Sequence, residues 1–126
     1  MTSKETARAA AELALEKKAR NVTILELGSL SDVTDYFVVC TGDSDTHVKA
    51  IADGVDEGLR MEGSPVWRRE GYSSLQWVLL DCVDVVVHVF QSRTRDYYDL
   101  EKLWGDAGIE RVVDPLDAAA GIGASA

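Results

Sequence analysis

The stretch DVTDYFVVCTGDSD, residues 32–45, sets a nearly continuous apolar run, Tyr36 to Cys40, between two acidic pairs. An unbroken apolar run of this length is the pattern of a β-strand buried on both faces. The acidic pairs, Asp32 with Asp35 and Asp43 with Asp45, admit two readings. They are either a metal clamp around a strand or the turn and cap residues that bound it. Eight residues separate Asp35 from Asp43, which in an extended strand is roughly 26 Å at about 3.3 Å per residue. A cation binds oxygens at about 2.0–2.6 Å, so these two carboxylates cannot share one. Only Asp43 and Asp45 remain as a DxD pair.

Outward from that strand the elements follow in order. Ser44 can cap a helix in which Val48, Ile51, Ala52, Val55 and Leu59 share one face, and Gly63, Ser64 and Pro65 end it. Upstream, Val22 to Gly28 alternates as a strand does. Before it, Thr2 and Glu5 match a capping box for a helix over about Ser3 to Lys18, with Ala7, Ala10, Ala11 and Ala14 at helical spacing. Downstream, strands are expected over Val66–Glu70, Leu75–Asp81 and Asp84–Phe90, the last two joined as a hairpin through Cys82 and Val83. TRDYYDLEKLW, residues 94–104, reads as a short helix or two turns. The expected architecture is α/β (α+β): a mixed five-stranded sheet flanked by helices, forming one domain over residues 1–115. Residues 116–126, LDAAAGIGASA, are expected to form a flexible tail.

Composition narrows the function. The net charge of −9, from 22 acids against 13 bases, repels nucleic acid at range and suits a basic protein partner better. The bases fall in small groups, Lys17, Lys18 and Arg20, and Arg68 and Arg69. The N-terminal stretch is amphipathic and lacks the apolar core of a signal peptide, and no run is long enough to span a membrane, so the expected location is cytoplasmic. Cys40 and Cys82 show no metal-ligand spacing and read as ordinary thiols. LGSLSD, residues 27–32, is similar to the Gly-Ser turn of nucleotidyltransferases, but no helix intervenes before the strand and no third carboxylate is identifiable. Asp43, Ser44 and Asp45 are better explained as a turn and helix start. GDSDTH lacks the Lys of a P-loop. His47 reads as a surface residue. His88 has no nucleophile beside it, and reads as a hydrogen-bonded or partner-facing histidine rather than a base. The sequence therefore assigns no catalytic residue, no metal site and no cofactor.

The aromatic residues say more. Tyr97, Leu100, Leu103 and Trp104 fall on one helical face and are expected to pack inward, leaving Tyr98 and Lys102 together on the outer side. Leu75, Trp77, Leu79 and Asp81 share one strand face; Val86, His88 and Phe90 share one face of the next strand. If helices cover only one side of the sheet, an apolar stripe with a Trp is left for a partner. If both sides are covered, these residues are core.

DVTDYFVVCTGDS, AIADGV, Glu70-Gly71, WVLLD, DVVVHVF and RDYYDLEKLW occur in this order at spacings that resemble the ribosomal silencing factors, also called Iojap-related proteins. The resemblance covers about residues 5 to 105. It implies a fold similar to nucleotidyltransferases without their catalytic carboxylates, and a translational repressor rather than an enzyme. It also implies binding to the large ribosomal subunit through its ribosomal protein fourteen, which blocks joining of the small subunit when nutrients are short. A peripheral contact to ribosomal RNA and a homodimer are further implications. Carried over by position, the partner surface would comprise Trp77, Leu79, Asp81, His88, Tyr98 and Lys102. The alternative class is a metal- and nucleotide-dependent nucleotidyltransferase using Asp43 and Asp45. The chain departs from the family pattern at His47, commonly Gln, and at Cys82-Val83, where Tyr-Gly is more usual. A β-branched Val adopts φ > 0 reluctantly, so the hairpin turn is where this departure matters.

Overall fold

A computed structural model describes residues 1–113. Along that stretch the order is α1 (Ser3–Glu16), β1 (Arg20–Glu26), a 3-10 turn (Gly28–Leu30), β2 (Tyr36–Gly42), α2 (Asp45–Met61), β3 (Arg68–Glu70), β4 (Trp77–Asp81), β5 (Val85–Gln91), α3 (Ser92–Tyr98), α4 (Leu100–Leu103) and β6 (Gly108–Arg111). The expected tail and the domain boundary at residue 115 lie outside the described residues. No helix among those described is long and apolar enough to cross a membrane.

The helices start where their caps are. Thr2 Oγ1 accepts the Glu5 N–H at 3.1 Å and Glu5 Oε1 accepts the Thr2 N–H at 2.8 Å, satisfying two free donors at the start of α1. The helix stops two residues short of expectation, because Lys18 turns into the left-handed region at φ 63°. Ser44 caps α2 by accepting the His47 N–H at 3.1 Å. That helix buries Val48, Ile51, Ala52, Val55 and Leu59, the five residues at helical spacing. Burying each of the Val, Ile and Leu side chains contributes roughly 1.5–3 kcal/mol, and Ala52 less.

The sheet has six strands, in the order β3-β4-β5-β2-β1-β6. The β2–β5 pair is parallel and the other pairs are antiparallel. The sixth strand corrects the expected count of five. All four residues of β6 are exposed, so it carries no buried pattern to read, and pairing with β1 alone makes it a strand.

On one face, Val22, Ile24, Val38, Cys40, Val78, Leu80, Val85, Val87 and Val89 pack with α1 and α2. On the other, Leu25, Leu27, Val39 and Phe90 meet Leu100 and Ala107, with Phe37, Trp77 and Trp104 only partly covered. The two faces are therefore unequally roofed: long helices on one, two short ones on the other.

Two turns are conformationally demanding. The β4–β5 hairpin forms as expected, with the Cys82 N–H donating to the Val85 carbonyl at 2.8 Å. Its Val83 sits at φ 74°, which the missing Gly would have taken without strain. Asp81 Oδ1 holds it there by accepting the Val83 N–H at 2.8 Å. Gly71 stands at φ 91°, and a Cβ there would lie 1.9 Å from the Trp77 carbonyl oxygen.

A left-handed non-Gly residue costs about 1–3 kcal/mol, and a new Gly returns about 0.4–1 kcal/mol to the unfolded chain. Val83→Gly is therefore expected to raise stability by about 1 kcal/mol in urea unfolding, whereas Gly71→Ala loses at least about 2 kcal/mol. A Val83→Gly chain unfolding at lower urea than wild type would show that the turn stores no such strain.

Candidate functional site

Antiparallel pairing sets Trp77 opposite Phe90, Leu79 opposite His88 and Asp81 opposite Val86, all on the thinly roofed face. Trp77 is the centre of this plate. Its ring stacks on Phe90 with centroids 4.8 Å apart and leans on Tyr98 at 4.6 Å. Its Nε1–H donates to His88 Nδ1 at 3.0 Å. Phe37 stands edge-on to His88 at 4.5 Å, and Trp104 edge-on to Phe37 at 5.8 Å. Offset and edge geometries of this kind contribute about 0.5–1.5 kcal/mol per pair beyond area burial.

The implied partner residues fall into two groups. Trp77, Leu79 and Asp81 are half-buried, while Tyr98 and Lys102 are exposed, Tyr98 to 49%. His88 lies beneath them, only 4% exposed. Because Nδ1 accepts from Trp77, the ring's proton sits on Nε2, which is buried with no hydrogen-bond partner among the described residues. Burial pushes the His88 pKa down to about 3, so the ring is neutral at physiological pH. Its geometric role is to fix the Trp77 indole.

The terminal segment differs from expectation. Tyr97 is 81% exposed and Leu103 72% exposed, where both were expected inward. The reason is Asp99. It adopts φ 46°, ends α3 after seven residues, and caps α4 by accepting the Lys102 N–H at 3.3 Å. The helical register is reset there, so Tyr98 and Lys102 do not sit on one continuous helix. Leu100 and Trp104 do face inward.

One residue that holds the site in place was not singled out from sequence. Arg95 of α3 is buried and donates to the Asn21 carbonyl at 2.7 Å, to Thr41 Oγ1 at 3.0 Å and to Thr23 Oγ1 at 3.4 Å. Glu101 Oε2 lies 3.4 Å from the same guanidinium. Three of its acceptors lie far off in sequence, on β1 and β2, and only Glu101 of α4 is near. The only local hint was an Arg one turn ahead of the aromatic pair.

The DxD pair is occupied otherwise. Asp43 pairs with Arg20 at 3.0 Å, and Asp45 accepts from the Gln91 side-chain amide. No group of three or more metal-binding side chains occurs among the described residues. His47 is more than a surface residue. Its Nδ1 accepts the Asp43 N–H at 2.9 Å and its Nε2 donates to the Lys17 carbonyl at 2.8 Å, tying the end of α1 to the start of α2.

Known proteins resemble the chain in sequence and in fold. A family model described as "Ribosomal silencing factor during starvation" matches residues 1–124. The ribosomal silencing factor of Bacillus subtilis is 43% identical over 107 residues, covering 85% of this chain and 91% of that one. A crystal structure of a Chromobacterium violaceum protein superposes with a TM-score of 0.81 at 37% identity, covering 90% of this chain and 95% of that one. A more distant relative, the mouse protein named for mitochondrial assembly of the ribosomal large subunit, is 30% identical over 92 residues, covering 71% of this chain and 40% of that one.

The buried His88 has a consequence for stability. Unfolded, it titrates near 6.5; folded, near 3. The unfolded chain therefore takes up the proton first as pH falls, and the stability present above pH 6.5 is lost from there downward. At about 1.36 kcal/mol per pH unit the loss reaches about 2 kcal/mol by pH 5. His88→Asn keeps an acceptor at the Nδ1 position and does not titrate, so urea unfolding of that variant should show a flatter slope over this range. An unchanged slope would mean that His88 does not govern it.

Proposed function

The chain belongs to the ribosomal silencing factor family, and on that premise we propose that it represses translation by occupying the large ribosomal subunit. In this reading the Trp77 plate seats on ribosomal protein fourteen of that subunit. The body of the chain then stands where the small subunit would dock, and joining is blocked by bulk. No bond is made or broken. The repressor works as long as it stays bound, which suits lowering protein synthesis reversibly under nutrient limitation.

One observation carries the reading: an aromatic plate left partly open by the two short helices. Tyr and Trp in a rigid setting are the residues that dominate binding energy at interfaces. Here Trp77 is already oriented by His88 and Phe90, so little conformational freedom is lost on docking. The net charge of −9 favours a basic partner. The relatives are named for ribosome silencing and large-subunit assembly, not for catalysis. Asp43 and Asp45, the candidates for transferase chemistry, are engaged by Arg20 and Gln91.

Sucrose-gradient sedimentation tests the proposal. The chain should travel with free large subunits and be absent from joined ribosomes. Tyr98→Ala removes one stacking partner of Trp77, and its affinity for large subunits should fall about thirtyfold, the roughly 2 kcal/mol of an interface hot spot. Its stability should drop by only about 0.5–1.5 kcal/mol, the value of an aromatic pair. Equal sedimentation with free and joined ribosomes would contradict the blocking mechanism.

A further inference from the structure

A groove of about 450 Å³ lies on the far side of the sheet order from the Trp77 plate, between the end of α1, the start of β1 and the end of β6. Lys18, Arg20 and Arg111 line it, and no carboxylate does among the described residues. In a chain with 22 acids and 13 bases, three basic residues and no acid among the residues lining one groove run against the overall composition. The clustering is a product of the fold. Lys18 and Arg20 are neighbours in sequence, but Arg111 joins them only because β6 pairs with β1, placing Arg111 opposite Thr23.

The cations are not consumed locally. Neither Lys18 nor Arg111 has an ion-pair partner among the described residues. Arg20 pairs with Asp43 at 3.0 Å, but both ends are more than half exposed. Such a pair is weak, contributing about 0–1 kcal/mol, and an anion can displace it. Lys18 is not needed to finish α1 either. The N–H groups of Lys17, Lys18 and Ala19 already bond to the Ala14 and Leu15 carbonyls. The groove wall includes Leu15, Val22 and Val112, and an apolar wall strengthens the field of the charges beside it. Two arginines and a lysine lining one concavity suit a multiply charged oxyanion better than a single carboxylate.

We propose that this groove is a phosphate-binding site. The phosphate comes either from the RNA backbone of the large subunit, reached by the end of the sheet remote from the plate, or from a free phosphate-bearing small molecule. The first source rests on the functional reading above; the second does not.

The test uses the full chain and the double variant Lys18→Gln, Arg111→Gln, neither residue belonging to the Trp77 plate. Thermal melts confirm folding, and binding to isolated ribosomal protein fourteen should match wild type. Affinity for purified large subunits is then followed across salt concentrations. Loss of two phosphate contacts should lower the magnitude of the log–log salt slope by about 2, which identifies the RNA source. Calorimetry with sodium pyrophosphate supplies the other arm. Saturable binding by wild type that the variant loses, with an unchanged subunit slope, identifies the free source. If wild type and variant agree in both arms, the groove is not a phosphate site. Wild type that ignores large subunits altogether sinks the functional reading, and the pyrophosphate arm still decides the groove.

Discussion

The parallel pairing of β2 with β5 is the constraint from which the other layers follow. It sets Val38 beside Val87, Val39 beside His88 and Cys40 beside Val89. Both strands are apolar on both faces, so the sheet must be covered twice. A parallel pair also needs a long crossover, and here the connection runs through α2 and out to the β3–β4 edge before returning. That path brings a helix of seventeen residues to one face, beside the fourteen of α1. Among the described residues, what remains for the other face is the short run after β5, with helices of seven and four residues. Two such helices cannot roof the whole face. The open aromatic plate is thus a result of the topology of the described residues.

Holding that plate rigid is costly, which is itself informative. His88 buries an Nε2–H with no partner among the described residues, and Val83 is strained in the turn that joins β4 to β5. A buried unsatisfied donor costs about 1–3 kcal/mol. Stability alone would favour an apolar residue at His88 and Gly at position 83. In exchange the Trp77 indole is held by a hydrogen bond on one edge and flanked by Phe90 and Tyr98. Arg95 does the same at longer range: by clasping β1 and β2 it fixes α3, and with it the position of Tyr98. At His88 the departure from the most stable local choice lies directly under that surface, as expected where a sequence serves recognition as well as folding.

Local signals in the sequence carried most of the fold. The Thr2–Glu5 capping box, the buried run of β2, the Ser44 cap and the α2 face, and the short β4–β5 connection each rest on neighbours within a few residues, and each appears in the structure. The plate was legible as far as strand alternation goes: it puts Trp77, Leu79 and Asp81 on one side of β4, and the register of the β4–β5 hairpin sets His88 opposite Leu79 on that same side. What could not be read depended on distant partners. Strand β6 has no buried pattern and exists because β1 offers it an edge. Tyr97 and Leu103 point outward because Asp99 takes a left-handed conformation, and Asp does so rarely enough that a continuous helix was the simpler expectation. Arg95 finds acceptors on strands more than fifty residues earlier, so periodicity says nothing about its burial.

The central claim is that the chain meets the large subunit with the thinly roofed face and not with its helical face. Hydroxyl-radical footprinting of the chain, free and bound to purified large subunits, measures this side chain by side chain. Oxidation of Trp77, Tyr97, Tyr98 and Leu103 should fall on binding, while Met61 at the end of α2, 74% exposed in the helical layer, should react unchanged. Protection of Met61 with no change at Trp77 and Tyr98 would place the partner on the opposite face and contradict the account.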